Sequence, residues 1–302
     1  MKPFGLLLFT LAALSVWAAE PQEVLEDYKI QFYESGVEYH FYDGVEYLGK
    51  DREEKLDIYS PVSTITKKRP AVLFIHGGAW RAGHRKMKNA RDWARFFVEQ
   101  GYVAVSIDYK LSEFEGKGRN SKKIEGAWRQ NIYDCKSALR FMKSGILNID
   151  SERIAVMGSS AGGHLAMLLG YSAESKELNK GGLYKDKSND VSCIINFYGV
   201  PDVRKQGGEM FIDSSRDESP EEWALASPVE HLAESEPPIL IVHGAKDRVV
   251  DIEQSRDLVK LLKEKELPFE YKFIEDAGHG FSVRAAKTNL MPVVGSFLRE
   301  NF

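Results

Sequence analysis

One stretch in the middle of the chain limits the possible folds more than any other. Arg153-Ile154-Ala155-Val156-Met157 is short, apolar and partly β-branched, as a buried strand should be. Gly158-Ser159-Ser160-Ala161-Gly162 follows at once and fits the pattern G-x-S-x-G. Leu165 to Leu169 is then made of good helix formers. A strand that turns directly into a helix sets Ser160 on a tight bend among small neighbours, because larger side chains would crowd it. Its oxygen would lie near a helix N-terminus, where free backbone N–H groups favour negative charge. The five residues alone are a common pattern; the strand before and the helix after give it weight.

The rest of the chain repeats that rhythm. Apolar or alternating runs at residues 54–59, 71–75, 102–109, 191–198, 238–242 and 269–274 read as strands. Helical spacing recurs at 86–100, 127–143 and 251–266, and a last helix runs towards Phe302. Strands alternating with helices predict the α/β class, a mostly parallel central sheet with helices on both faces. Ligands of such sheets gather at the carboxyl ends of the strands. Residues 20–36 read as a polar lead-in, and 111–123, 173–190 and 203–219 as irregular loops.

Bulk properties narrow the partners. Hydrophobic residues make up 43% and charged residues 28%, which excludes a disordered chain. A net charge of -4 gives no electrostatic case for binding nucleic acid or an anionic membrane. Lys2, the apolar run 4–16, and Val16 and Ala18 at cleavage-site spacing predict a signal peptide over residues 1–18. That apolar run is short for a membrane span, and polar residues follow it. The expectation is an exported protein, periplasmic or extracellular, without a stable membrane anchor and with residues 19–302 as one domain; a signal anchor is the alternative. Cys135 falls in a helical pattern and Cys193 in a buried strand, which argues against a disulfide; neither spacing suggests a metal site.

A serine hydroxyl that attacks a carbonyl needs a base beside it and a third group to orient that base. Seven histidines compete for the role of base. His76 and His243 end apolar strands and suit bonds to adjacent turns. His164 lies one turn beyond Ser160 on the same helix, and His40, His84 and His231 lie in polar segments. His279, between two glycines after the final strand, can be presented at the strand ends. Asp247 and Asp251 compete for the third role. Asp251, with Gln254 three residues on, reads as a helix N-cap, which leaves Asp247 for His279. Anion-binding backbone donors are expected from Ala161, after Ser160, and from Gly77 and Gly78 after an early strand. Trp80 is expected to line the pocket mouth as a substrate contact, with packing alone as the alternative.

With these residues assembled, the chain resembles the carboxylesterases of the α/β-hydrolase superfamily, near the hormone-sensitive-lipase-like and bacterial feruloyl or acetyl esterases. The resemblance rests on His76-Gly77-Gly78-Ala79-Trp80, residues 105–111, Gly158-Ser159-Ser160-Ala161-Gly162-Gly163-His164-Leu165, Asn196-Phe197-Tyr198-Gly199, His243-Gly244-Ala245-Lys246-Asp247 and Gly278-His279-Gly280-Phe281. These run in family order from about residue 54 onwards. The resemblance implies the α/β-hydrolase fold with a small or minimal cap, a Ser160–His279–Asp247 triad, an acyl-enzyme route and no cofactor. Its implied substrates are small acyl or aryl esters, with acetyl or feruloyl groups on polysaccharide among them. An amide hydrolase of the arylformamidase or exopeptidase kind would use the same triad, and a catalytically silent scaffold is a third alternative. Two departures stand out: Ala79 replaces the third glycine of H-G-G-G, and residues 111–123 are longer and more basic than usual. Lys117, Arg119, Lys122 and Lys123 of that stretch could meet an acidic sugar or form a solvated face.

Overall fold

The apolar runs become strands buried on both faces. The computed structural model describes residues 25, 29–34, 37–62, 67–116, 118 and 121–302, without the side chains of 29–34 and 37. The expected signal peptide lies outside the described residues, as do Lys117 and Arg119. In chain order the longer strands are β1 (Lys29–Glu34), β2 (Val37–Val45), β3 (Leu56–Pro61), β4 (Arg69–Ile75), β5 (Val103–Ile107), β6 (Glu113–Glu115), β7 (Lys122–Glu125), β8 (Ile149–Ser159), β9 (Cys193–Phe197), β10 (Ile239–Gly244) and β11 (Phe269–Ile274). The helices are α1 (Lys88–Glu99), α2 (Gln130–Met142), α3 (Ala161–Tyr171), α4 (Pro220–Leu225), α5 (Ile252–Glu264) and α6 (Met291–Asn301).

Nine strands form one sheet in the order β1-β2-β3-β5-β4-β8-β9-β10-β11. Pairing is antiparallel from β1 to β5 and parallel from β5 to β11. Because side chains alternate along a strand, Ala71, Leu73 and Ile75 of β4 enter one core and Val72 and Phe74 the other. Helices α2, α3 and α5 cover the first core through Ile132, Leu139, Leu165 and Leu258. Helices α1 and α6 cover the second through Trp93, Phe97, Phe297 and Leu298. Each fully buried aliphatic side chain in these layers contributes roughly 1.5–3 kcal/mol relative to exposure. Cys135 belongs to the first core and Cys193 to the second; both are free thiols on opposite faces of the sheet.

The strand order reverses between β4 and β8, with β5 on one side of β4 and β8 on the other. A sheet opens a crevice at such a switch point, at the carboxyl ends of the strands. The loops that follow β4 and β8 both open there. The segment before α1 is anchored by Arg85, whose guanidinium pairs with Asp57 and Asp108 at 2.6 Å each. That anchor fixes where α1 begins, and the start of α1 forms one wall of the crevice.

Three expectations need correction. Residues 111–123 are not a structureless loop: β6 and β7 pair as a hairpin, with Glu115 opposite Lys122 and Phe114 beneath the Arg81 guanidinium. The pairing carries little apolar surface, so no period marked it in the sequence. The lead-in at 20–36 contains β1, which extends the sheet beyond β2. Gln254 makes no capping box with Asp251; its side chain accepts from the backbone N–H of Asp202 and donates to the Asp202 carbonyl. Asp251 itself caps α5 by accepting the Glu253 N–H at 3.0 Å.

Candidate active site

Ser160 sits between β8 and α3 with φ 56° and ψ −122°, a conformation that L side chains rarely adopt. The glycines of the motif make this bend possible. A Cβ on Gly158 would stand 2.1 Å from the Gly162 carbonyl oxygen, and one on Gly162 would stand 2.1 Å from the Ile75 carbonyl oxygen. The bend is stapled from the next strand, since the Ser160 N–H donates to the Phe197 carbonyl at 2.9 Å. Strain held by surrounding packing in this way is typical of functional positions.

Two loops bring partners to Ser160. The Lys246 N–H donates to the Ala277 carbonyl at 2.9 Å and joins the loop after β10 to the loop after β11. The joint places Asp247 beside His279. The His279 Nδ1 lies 2.8 Å from Asp247 Oδ2, and its Nε2 lies 3.1 Å from Ser160 Oγ. Tyr198 braces the imidazole, ring edge to face at 4.7 Å, while its hydroxyl donates to the Phe281 carbonyl at 2.6 Å.

The Asp247 side chain is fully buried. Burial alone would push its carboxyl up, but donors from His243, His279 and the Val249 and Val250 N–H groups outweigh it and hold the group well below the usual carboxylate range. The two backbone N–H groups reach Oδ1 at 2.8 and 3.0 Å. An ionised Asp247 requires a proton on His279 Nδ1, which leaves Nε2 as an acceptor facing the Ser160 hydroxyl.

The loop after β4 supplies the other side. His76 donates from Nδ1 to the Gly77 carbonyl at 2.7 Å and stacks on Tyr109, ring centres 4.4 Å apart. Burial pushes His76 down to about 4, so it is neutral there at ordinary pH. Gly78 takes φ 128°, and a Cβ there would stand 1.9 Å from the Ala82 carbonyl oxygen. Gly77 passes so close to the elbow that a Cβ would lie 3.2 Å from Ser160 Cβ. Ala161 opens α3, so its N–H has no acceptor within the helix. Gly77, Gly78, Ser160 and His279 share one open cleft of about 540 Å³.

Trp80 does not line this cleft. It is 3% exposed, stacks on Phe211 at 4.6 Å and donates its indole N–H to His164 Nδ1 at 3.0 Å. Its carbonyl accepts the Ser112 N–H and its own backbone has φ 55°, so the chain turns the indole inward beneath the loop. The cleft instead uses Met87, Lys88, Asn89 and Asp92 at the start of α1, with Val249 and Ser282 opposite. Sequence reasoning missed these, because a helix N-terminus carries no mark of what it faces. It also missed that His243 approaches Asp247, at 3.3 Å from Nε2 to Oδ2. The only signal was the four-residue spacing across a strand end.

A reversing parallel sheet, a serine at a strained strand-to-helix bend, and an acid and a histidine on the next loops in chain order define an α/β-hydrolase fold. The truncated form of a carbohydrate esterase from gut microbiota shares it, with a TM-score of 0.74 at 24% identity over 86% of this chain and 95% of that one. The chain belongs to the BD-FAE family, whose sequence model matches residues 56–262. Two Mycobacterium tuberculosis relatives are similar in sequence. Esterase LipC is 28% identical over 249 residues, covering 78% of this chain and 59% of LipC. The probable carboxylic ester hydrolase LipM is 28% identical over 298 residues, covering 93% of this chain and 64% of LipM. The chain thus spans less than two thirds of the length of either.

Proposed function

We propose that this protein is an exported serine carboxylesterase that hydrolyses small acyl esters, with acetyl groups on polysaccharide as the foremost substrate class. One observation carries the reading: the unbroken hydrogen-bonded chain from Ser160 through His279 to a buried, ionised Asp247, facing an open cleft. The names of the relatives, an esterase and a probable carboxylic ester hydrolase, and of the carbohydrate esterase with the same fold support it.

In this mechanism His279 Nε2 takes the Ser160 proton as Oγ attacks the ester carbonyl. Asp247 stabilises the imidazolium that forms and holds the ring in one tautomer. Negative charge on the tetrahedral oxygen is met by the N–H groups of Ala161, Gly77 and Gly78, each removable donor of such a site being worth roughly 3–4 kcal/mol. The imidazolium then protonates the leaving alcohol, and water repeats the sequence on the acyl-enzyme. The α1 wall of the cleft carries Lys88, Asn89 and Asp92, whose polar groups suit a bulky hydroxylated alcohol such as a sugar.

The assignment is tested by Ser160→Ala against a nitrophenyl acetate and an acetylated xylan, with feruloyl and butyryl esters for comparison. Loss of turnover on all esters is expected, and retained turnover sinks the reading. Export rests on the charged and apolar pattern of residues 2–18; the secreted form should begin at Ala19 by N-terminal sequencing, and an intact Met1 in the cell pellet would refute it.

A further inference from the structure

We infer that His243 is a positioning residue for the proposed hydrolysis, a second imidazole that shares Asp247 with His279 and lowers the pH at which the enzyme switches on. The inference rests on the serine-hydrolase reading above. His243 ends β10 and is completely buried. Its Nε2 faces two acceptors, Asp247 Oδ2 at 3.3 Å and the Val250 carbonyl at 3.2 Å. Two acceptors there require a proton on Nε2. The other ring nitrogen lies 2.7 Å from Ser255 Oγ, on α5, and accepts the hydroxyl proton. Ser255 is also fully buried, so this tautomer is fixed by a partner with no access to water.

The same carboxylate oxygen therefore bonds His279 and stands 3.3 Å from His243 Nε2, whose single proton it shares with the Val250 carbonyl. Oδ1 is already filled by Val249 and Val250, so the carboxylate cannot rotate without losing donors on both oxygens. Charge drawn towards His243 is charge not offered to His279. A carboxylate so shared stabilises the His279 imidazolium less than one bonded to His279 alone. Other charges face this assembly from its neighbours: the pair of exposed Lys88 with half-buried Asp92 on α1, and the exposed Lys246–Asp276 pair beside the two loops. The Tyr198 phenol, which burial pushes up, stays neutral. Each ion pair is internally matched, so neither replaces the His243 donor.

The test compares kcat/KM against pH for the full chain and for His243→Leu, His243→Gln and Ser255→Ala, with a nitrophenyl acetate as substrate. His243→Leu should lose about 10- to 100-fold in kcat/KM, as expected for a base no longer held in line. Its acid limb should move to higher pH by about half a unit or more. His243→Gln keeps an N–H towards Asp247 and should return the limb to its original position. Ser255→Ala frees the His243 tautomer and should shift the limb in the same direction by less. A folded His243→Leu with an unmoved acid limb overturns the inference, whether or not its thermal stability falls. If that variant does not fold, an unmoved limb in Ser255→Ala overturns it instead. Ser160→Ala separates the two readings: if it is inactive while the limbs stay fixed, only the role of His243 fails, whereas an active Ser160→Ala removes the hydrolase reading itself.

Discussion

The indole N–H of Trp80 donates to His164 Nδ1 at 3.0 Å, a buried bond that ties the loop after β4 to the helix after β8. His164 lies one turn along α3 from Ser160 and donates from its other nitrogen to the Ala226 carbonyl at 2.8 Å. Burial pushes this imidazole down to about 4, so it holds one neutral tautomer throughout the ordinary pH range. The loop after β4 and the bend that carries Ser160 are thereby fastened together below the cleft.

Replacing Trp80 with Phe keeps an aromatic ring for Phe211 but leaves His164 Nδ1 buried without a donor. The expected loss is about 1–3 kcal/mol of stability. Because Trp80 does not line the cleft, the preference among acyl chains should stay as it is while the denaturation midpoint falls. A changed acyl preference with an unchanged midpoint would contradict the placement of the indole.

Asp247→Asn separates geometry from charge. The amide can still receive the Val249 N–H, but it carries no charge to stabilise an imidazolium and can present an N–H where His279 needs an acceptor. The imidazole then adopts the wrong tautomer, and kcat should fall by about 10⁴-fold with the fold retained. Active-site labelling with a fluorophosphonate, followed by circular dichroism, reads both effects. Asp251→Asn, by contrast, alters only a helix cap and should leave kcat within about twofold.

How much of this was legible depends on where the constraint lay. The bend at Ser160 could be read because backbone contacts at Gly158 and Gly162 leave no room for any Cβ, so the requirement is written in residue type. The chain order of Ser160, Asp247 and His279 followed from the same pattern, and the structure brings the three side chains together. Trp80 was misplaced because a tryptophan beside a loop can face either way. Its direction is decided by Phe211 and His164, distant in sequence. The β6–β7 hairpin was invisible for a different reason, its pairing being carried by charged and exposed residues with Ile124 open to solvent. The wall formed by α1 was missed because its placement comes from the Arg85 ion pairs, not from the helix itself.

A Cβ at Gly158 or Gly162 meets main-chain oxygen, not a movable side chain, so relief requires a shift of β4 or α3. Gly162→Ala should therefore destabilise the fold by at least about 1–3 kcal/mol and disturb the Ser160 bend at the same time. Gly280→Ala provides the contrast, since no atom lies within 4 Å of its Cβ position; its cost is limited to the strain of φ 85°. Thermal denaturation of both variants beside esterase rates distinguishes backbone crowding from local strain. Comparable losses of rate in the two would contradict the account of the elbow.

Lys136 on α2 yields a prediction about pH and stability, away from the cleft. Its ammonium is buried and bonds only neutral acceptors, the Ser172 carbonyl at 2.7 Å and Asn179 Oδ1 at 2.8 Å. Burial, with the nearby Arg140 charge, lowers it to about 7, whereas a lysine in the unfolded chain titrates near about 10.4. Between those values the unfolded chain binds the proton and the folded chain releases it, so stability from this group rises with pH across that window. Below about 7 the cost of holding the charge inside is at its full value, on the order of a few kcal/mol. Lys136→Met removes the titration together with two hydrogen bonds. The stability difference between the original and this variant should move in favour of the original as pH increases from 7 to 10. Urea midpoints at pH 7, 8.5 and 10 measure it, and a difference that stays constant across the three would refute a lowered Lys136.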